Sequence, residues 1–299
     1  MPELPEVQTV VNDLNKKIKN DTIVDFWSEW PKAIKVPSSV EKFSKEIKNK
    51  KILGARRIGK NIFIDLSGGK TLYIHLKMTG HLLVKPANFQ FPISNFQINS
   101  KSKTKNLDYF DDKVNQYIRH KFYLKSGKTL AFSDLRKFGK IVLGDAEKIN
   151  NLKEIKALGV DALDPKFTFK KFQEILSRSP KAKIGIVLMD QNKIAGIGNI
   201  YRSEILFKAG IMPERTIKSI SENDLKKTYN ATQKILKKAV KLRGTSDSDY
   251  RDTSGAPGNF QKILKVYNRE KQKCKICDTI IRRKTLGQRS VFICPKCQK

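Results

Sequence analysis

Hydrophobic positions recur at helical spacing close to the start of the chain. Val7, Val10, Val11 and Leu14 fall on one face of a 3.6-residue repeat, with Asn, Lys and Asp on the other face. This pattern predicts an amphipathic helix over residues 5–20.

Short β-rich segments replace this pattern from about residue 22. They are separated by turn sequences such as SGGK and KSGK, and they read TIVDFW, KILGARRI, NIFIDL, TLYIHLKM, KFYLKS, KTLAFSD and KIVLGD. We predict a β-sandwich or barrel-like domain that extends to about residue 145, with the first helix packed against it. Residues 86–116 have no sustained period, and we predict a long surface loop or insertion there.

The pattern becomes helical after about residue 150. FTFKKFQEIL is amphipathic, and AKIGIVLMDQ and NIYRSEILFKAG predict two short helices around the turn NKIAGIG. A longer helix begins at the capping residues Ser221 and Asp224 and stops at Gly244. Residues 244–260 are rich in Gly, Ser and Asp and predict a loop. Together these elements indicate an α+β fold.

Four cysteines form one cluster near the end of the chain, with the spacing Cys274-x2-Cys277-x16-Cys294-x2-Cys297. Two CxxC turns can direct four thiolates at one tetrahedral zinc ion, which leaves no open position and makes the metal structural. A pair of disulfides and a metal-free thiol cluster are the alternatives. The first residues show no secretory signal, so we expect a cytoplasmic protein, in which zinc is favoured.

The segment between the two cysteine pairs, TIIRRKTLGQRSVFI, predicts a basic β-hairpin that the zinc ion holds rigid. We expect this hairpin to contact nucleic acid; a solvated basic turn is the alternative.

Charge also favours a nucleic-acid partner. The chain of 299 residues has 61 Lys and Arg against 29 Asp and Glu, a net charge of +32, and such a surplus is neutralised well by a polyanion. A lysine-rich, solvated surface is the alternative. A membrane surface is disfavoured, because no apolar amphipathic stretch with tryptophan is evident. At 39% hydrophobic residues the chain can still bury real cores.

Two short stretches leave functional questions open. Gly196 and Gly198 precede a predicted helix start at Asn199, where free N–H groups can bind phosphate; an ordinary helix-to-helix turn is the alternative. The chain opens MPELPEV, which is either a loose polar terminus or part of an active site.

Seven segments in order resemble the bacterial formamidopyrimidine-DNA glycosylases, and they cover nearly the whole chain. Leu4 is typical of the purine-repair branch, because relatives that act on oxidised pyrimidines usually begin PEGPE. The segments are MPELPEV, GKNIFIDL, HLKMTG, DLRKFG, MDQNKIAGIGNIYRSEILFKAGI, FQKILKVYNR and CKIC…GQRSVFICPKCQ.

This resemblance implies a bifunctional DNA glycosylase and abasic-site lyase for 8-oxoguanine and formamidopyrimidines in double-stranded DNA. It implies a catalytic β-sandwich over residues 1–150, a helix-two-turns-helix DNA-binding domain over 151–262 and a zinc-finger hairpin over 263–299, with one structural Zn²⁺. We expect a monomer that is associated with the bacterial nucleoid. A glycosylase for oxidised pyrimidines and a non-catalytic damaged-DNA-binding relative are the alternatives.

The resemblance also places the chemistry at the start of the chain. Removal of Met1 would leave Pro2 with a secondary amine, and α-amino groups titrate at about 7.7–8.0, so a useful fraction is uncharged at neutral pH. Glu3 would be the acid that protonates the sugar, Glu6 would support the terminus, and Lys60 would bind phosphate near the target.

Other matched positions would bind and distort the DNA. Met78, Arg136 and Phe138 occupy the family's wedge positions, which fill the space left by a flipped base. Asn199 and Arg289 match its phosphate-binding positions. The family lid would correspond to the loop at 244–260.

Two departures from the family pattern concern DNA contacts. Many relatives have Ile-Lys before the MDQ segment, where this chain has Ile184 and Gly185, with Lys183 one position earlier. The lid sequence GTSDSDYRD is also more acidic than the family pattern suggests.

Overall fold

The computed structural model describes residues 1–87 and 109–299. Most of the insertion predicted at 86–116 lies outside the described residues. Its last part forms two short 3₁₀ turns, Tyr109–Asp111 and Lys113–Gln116.

Nine strands of the described residues pair in the order β2-β9-β5-β4-β3-β1-β7-β8-β6. Only two residue pairs join β3 to β1, at Thr22–Lys51 and Ile23–Lys50, so the sheet divides there into two halves that face each other. The strands are β1 Thr22–Ser28, β2 Ile34–Val36, β3 Lys50–Ile58, β4 Asn61–Leu66, β5 Lys70–His75, β6 His81–Lys85, β7 Ile118–Leu124, β8 Thr129–Ser133 and β9 Lys140–Asp145.

The predicted β-sandwich is confirmed by the packing of these two halves. Ile62 and Ile74 from one half share a buried core with Phe122 and Phe132 from the other. Burial along β7 alternates residue by residue, as the period of a strand requires. β4 is buried on both faces, because Phe63 packs on its outer side against a second cluster.

The first helix, α1, spans Leu4–Lys17, slightly earlier than the predicted 5–20. Val7 and Leu14 pack into the sandwich core, as the sequence pattern predicts. Leu4 packs instead into the core of the helical region. The start of α1 therefore lies where the two cores meet. A second short helix of this part, α2, spans Val40–Ile47 and is capped by Ser39.

The helical region has its own core. This core is built largely from three helices, α5 (Phe169–Ser177), α7 (Asn199–Ala209) and α8 (Glu222–Lys241). As predicted, Ser221 caps α8 by accepting the N–H of Asp224. Two short strands, β10 Val160–Asp161 and β11 Ile194–Ala195, pair in parallel within this region. Its helices are α5 Phe169–Ser177, α6 Ile184–Val187, α7 Asn199–Ala209 and α8 Glu222–Lys241. Two shorter helices, α3 Ala146–Asn150 and α4 Lys153–Lys156, pack instead on the sandwich through Ile149 and Ile155.

The chain ends in the predicted hairpin of β12 Arg282–Leu286 and β13 Arg289–Ile293. Gly287 and Gln288 form its two-residue turn, and both have positive φ, as the tight turns of twisted hairpins require. The α+β prediction is confirmed. The domain boundaries at residues 150 and 262 stay predictions. No helix in the described part of the chain is long and apolar enough to cross a membrane.

Candidate active site

A cavity of about 270 Å³ lies where the first residues of the chain, the β-sandwich, the helical region and the hairpin meet. Residues predicted from distant parts of the sequence line this cavity together. They are Glu3, Lys60, Met78, Asn199 and Arg289.

Glu3 is buried, and its carboxylate lies against the start of α7. It accepts hydrogen bonds from the backbone N–H groups of Gly198 at 2.8 Å, Ile200 at 2.9 Å and Tyr201 at 3.4 Å. The first N–H groups of a helix have no partner within the helix, and the helix dipole favours negative charge there. This helix start therefore holds the Glu3 carboxylate in one position.

The expectation that these N–H groups bind phosphate is wrong for this structure, because a carboxylate of the chain itself occupies them. Gly198 has room for that carboxylate only because it lacks a side chain. A Cβ built at position 198 would lie 2.3 Å from the Glu3 Cδ.

The backbone that follows Pro2 is held on both sides. The N–H of Glu3 donates to Glu6 Oε2 at 2.7 Å, and the N–H of Leu4 donates to the carbonyl of Gly196 at 3.1 Å. Pro2 is buried, whereas Met1 is 43% exposed and lines the cavity.

Glu6 lies outside the cavity, in a buried network behind Glu3. Its Oε1 accepts the Tyr201 hydroxyl at 2.5 Å and the backbone N–H of Thr245 at 2.8 Å. Burial, together with the nearby Glu3 charge, raises the pKa of Glu6 to about 7. Glu6 thus connects the start of the chain to α7 and to the loop that follows α8.

Lys60 is buried at the turn before β4. Gly59, which precedes it, has a φ of +58° and donates its N–H to Asp161 Oδ2 at 2.7 Å. Burial lowers the pKa of Lys60, and the charges of Glu3 and Glu6 act in the opposite direction. The ammonium is therefore placed close to both carboxylates with little water around it.

The three predicted wedge residues form one exposed group. Met78 and Phe138 are 43% and 57% exposed, and Arg136 Nη1 donates to Met78 Sδ at 3.1 Å. Of these three, only Met78 lines the cavity. Large apolar side chains exposed on adjoining loops are available to insert into a partner.

Asp134 holds the two loops of this wedge together. It is buried, and it accepts the Thr79 hydroxyl at 2.5 Å and the N–H of Gly139 at 2.8 Å. The N–H of Arg136 in turn donates to Thr79 Oγ1 at 3.0 Å. This role of Asp134 is not predicted above, although Asp followed by a turn in DLRKFG is a recognisable signal for a capping carboxylate.

The loop after α8 was predicted without assigning single residues. Four of its side chains or backbone groups line the cavity: Thr245, Asp247, Ser248 and Tyr250. Tyr201 and Thr245, the partners of Glu6, were also missed. They lie 195 and 239 residues from it, and no local pattern marks such a contact.

The four cysteine Sγ atoms all lie within 4.8 Å of one another. Individual separations are 3.9 Å for Cys274–Cys297, 3.4 Å for Cys277–Cys294 and 3.3 Å for Cys277–Cys297. Zn–S bonds of about 2.3 Å in a tetrahedron place sulfurs about 3.8 Å apart, so the cluster fits one structural zinc ion. The cysteines are free thiols, which agrees with zinc and not with the disulfide alternative.

Comparison with known families accounts for most of the chain. A family model described as the formamidopyrimidine-DNA glycosylase N-terminal domain matches residues 1–141. The H2TH domain of the same family matches residues 158–250. A zinc finger found in FPG and IleRS matches residues 271–299.

Individual relatives match over the full length. Formamidopyrimidine-DNA glycosylases of Pelotomaculum thermopropionicum and Carboxydothermus hydrogenoformans are 37% and 36% identical, over 100% of this chain and 99% and 100% of theirs. The structure of Lactococcus lactis Fpg with abasic-site DNA superposes with a TM-score of 0.82 at 28% identity, covering 99% of both chains. MutM of Thermus thermophilus gives 0.80 at 30% identity, covering 99% of this chain and 98% of that one. With its three regions matched in order around one cavity, the chain belongs to the formamidopyrimidine-DNA glycosylase family.

Proposed function

We propose that this protein is a base-excision repair glycosylase with abasic-site lyase activity, which removes oxidised purines from duplex DNA. The observation that carries the proposal is the position of the chain start, where Pro2 is buried between Met1 and Glu3, which both line the cavity. The family relatives support the reaction class, since Lactococcus lactis Fpg was crystallised with abasic-site DNA and a variant of it with Fapy-dG DNA.

Pro2 is the proposed nucleophile once Met1 has been removed. Its secondary amine attacks C1′ of the sugar and displaces the damaged base, and the nitrogen loses its one proton. The C1′–O4′ bond then breaks as the ring oxygen takes up a proton, and the product is an iminium that carries a positive charge. That nitrogen has no second proton to lose, so the iminium persists as an electron sink. Elimination of the 3′ phosphate and then of the 5′ phosphate follows.

Glu3 is the proposed proton carrier. The N–H groups of α7 hold its carboxylate in one position beside the cavity, and a carboxylate there can accept the proton that the Pro2 ammonium must lose. The same carboxylate then delivers a proton to the ring oxygen of the sugar. Glu6, one layer behind, holds the N–H of Glu3 and so supports both groups.

The DNA-binding roles follow the same geometry. Lys60, Asn199 and Arg289 surround the cavity, and we assign them to the phosphates that flank the flipped nucleotide. Met78, Arg136 and Phe138 fill the gap in the base stack and contact the unpaired partner base. We further propose that the protein acts as a cytoplasmic monomer and that its domains divide at residues 150 and 262.

The decisive experiment compares one sequence with a blocked and a free amine. A cleavable tag is placed before Pro2, and borohydride trapping on DNA with 8-oxoguanine opposite cytosine is run before and after tag cleavage. We expect a covalent adduct only after cleavage, with peptide mapping to Pro2. An adduct of equal yield in the tagged protein, or tight binding without any adduct in the cleaved protein, would contradict the proposal.

Substrate class is tested separately on matched duplexes. We expect excision of 8-oxoguanine and formamidopyrimidines to exceed excision of an oxidised pyrimidine in the same sequence. The opposite order would leave the Pro2 chemistry intact and reject the purine assignment. Glu3→Gln, tested on the same duplexes, controls for cleavage by contaminating enzymes.

A further inference from the structure

Arg202 is an almost fully buried arginine of α7, 1% exposed. Its Nη1 donates to the carbonyl of Gly185 at 3.1 Å, and its Nη2 donates to Asn199 Oδ1 at 2.6 Å and to the carbonyl of Ser290 at 3.1 Å. All three acceptors are neutral, and its buried Nε has no hydrogen-bond partner. Within residues 1–87 and 109–299, no carboxylate forms an ion pair with it.

Burying a guanidinium that is bonded only to neutral oxygens costs free energy. A buried guanidinium is normally paired with a carboxylate, because neutral oxygens only partly replace its hydration. Burial lowers the pKa of Arg202 to about 10, while the nearby charge of Glu3 acts to raise it and the charge of Arg289 acts to lower it. Arg202 therefore has the Glu3 charge nearby, but among the described residues its guanidinium donates hydrogen bonds to neutral oxygens alone.

The hydrogen bond from Arg202 to Asn199 Oδ1 fixes the orientation of the Asn199 amide. An Asn amide has one acceptor oxygen and two donor hydrogens on nitrogen. Because Arg202 occupies the oxygen of Asn199, the nitrogen lies on the other side of the amide. Asn199 lines the cavity together with Lys60 and Arg289, and its side chain also hydrogen-bonds the side chain of Tyr267, which lines the cavity too.

The contact with Ser290 extends this arrangement to the hairpin. Ser290 follows Arg289 at the start of β13, so a bond to its carbonyl fixes the backbone that carries Arg289. The hairpin also packs closely on α6, since a Cβ at Gly185 would lie 2.7 Å from Leu286 Cδ2. One guanidinium thus ties α6, the start of α7 and the hairpin at a single point.

We propose that Arg202 is a positioning residue of the phosphate-binding surface, which orients the Asn199 amide and the backbone of Arg289 toward one DNA phosphate. This inference rests on the proposed phosphate role of Asn199. It explains why the position bears arginine, since the donors of a planar fork are spread over separate nitrogens and reach acceptors on α6, α7 and the hairpin, whereas the three donors of lysine lie on one nitrogen.

The test measures binding to a duplex that carries an uncleavable tetrahydrofuran abasic analogue, by fluorescence anisotropy at one fixed salt concentration. The proteins are the native chain, Arg202→Met, Arg202→Lys, Asn199→Ala and the double variant Arg202→Met/Asn199→Ala. We expect each single variant to weaken binding about tenfold. The double variant should lose less than the two single losses combined, because both changes affect the same Asn199 contact and only the effect of Arg202 on Arg289 is added. KM should rise with kcat unchanged at saturating DNA.

Folding is monitored through zinc content and the unfolding midpoint of every variant. Native-like binding by Arg202→Met, additive losses in the double variant, or native-like binding by Arg202→Lys would each overturn the inference. If Arg202→Met does not fold, Arg202→Lys alone decides between these outcomes. Native-like binding by Asn199→Ala would instead reject the phosphate role on which the inference rests. The trapping reaction at Pro2 is independent of all these results.

Discussion

The backbone N–H of Gly198 donates a 2.8 Å hydrogen bond to the carboxylate of Glu3, a residue 195 positions away in the sequence. The helical region therefore positions the group that we propose to move protons for a nucleophile at the start of the chain. Groups that are fixed before the substrate binds need no reorganisation during the reaction. The catalytic geometry that we propose thus depends on how the helical region packs against the start of the chain.

Gly198→Ala should displace the Glu3 carboxylate. The backbone at 198 has a φ of −130°, which any residue adopts, so the effect comes from the methyl group at 2.3 Å from Glu3 Cδ. We expect excision to slow by about 10²-fold, the effect of displacing a catalytic group by roughly 1 Å. Single-turnover kinetics on 8-oxoguanine DNA measure it.

Gly54→Ala is the matched control for that substitution. A Cβ at Gly54 would meet its nearest neighbour, Asn15 Oδ1, at 3.4 Å, which is an ordinary contact. This variant should keep the native rate. Equal rates in Gly198→Ala and Gly54→Ala would show that the Glu3 position does not limit the reaction.

The stability of the protein should depend on the ionisation of Glu6. Its pKa is raised from 4.5 to about 7, so between these values the folded state binds a proton that the unfolded state has lost. Stability from this group is full below pH 4.5 and is lost as pH rises through 7. Between pH 5 and pH 8 we expect the free energy of unfolding to fall by roughly 2–3 kcal/mol from Glu6 alone.

Glu6→Gln isolates this contribution in urea titrations at both pH values. His75 and His120 change stability in the opposite direction, because burial lowers the pKa of each to about 4. Subtracting the Glu6→Gln result removes their effect, since both proteins share it. An identical pH dependence in the two proteins would mean that Glu6 ionises normally in the folded state.

Asp134→Ala should loosen the wedge without touching the cavity. The substitution leaves the Thr79 hydroxyl and the Gly139 N–H without their buried acceptor, and each such loss costs about 1–3 kcal/mol. We expect lower stability in urea and weaker base flipping, read from 2-aminopurine fluorescence next to the lesion. Asp25→Ala, on an exposed position of the same β-sandwich, should change neither. Native base flipping by Asp134→Ala would mean that flipping does not depend on how the two wedge loops are held.

Zinc should be needed for DNA binding and much less for the rest of the fold. The hairpin packs into two small clusters, one of Val266, Ile281 and Phe292 with Phe207 of α7 and one of Leu286, Val291 and Ile293, so the metal supplies much of its order. Cys277→Ser should lose the single zinc ion and weaken DNA binding about tenfold or more through loss of Arg289. A colorimetric zinc assay and anisotropy measure the two effects. Zinc added back to chelated native protein should restore binding, and it should not do so in Cys277→Ser.

Much of this structure followed from local patterns in the chain. The period of α1, the alternation of the strands, the Ser221 cap of α8 and the CxxC spacing each involve residues within a few positions of one another. Backbone geometry alone brings such residues together. For that reason the helix of residues 4–17, the β-sandwich and the zinc hairpin could be predicted with only small errors at their ends.

The tertiary structure alone decided which distant groups meet. The sequence predicted that the N–H groups at the start of α7 bind a phosphate, whereas in the fold they bind the Glu3 carboxylate. Glu6 with Thr245, and Arg202 with Ser290, are likewise pairs that no repeat or motif connects. Contacts across 88 to 239 residues depend on how separate cores dock, and docking is set by the packing of many side chains at once. Residue types and short spacings therefore determined the individual helices, strands and cysteine cluster, whereas packing between the cores determined the arrangement of the candidate active site.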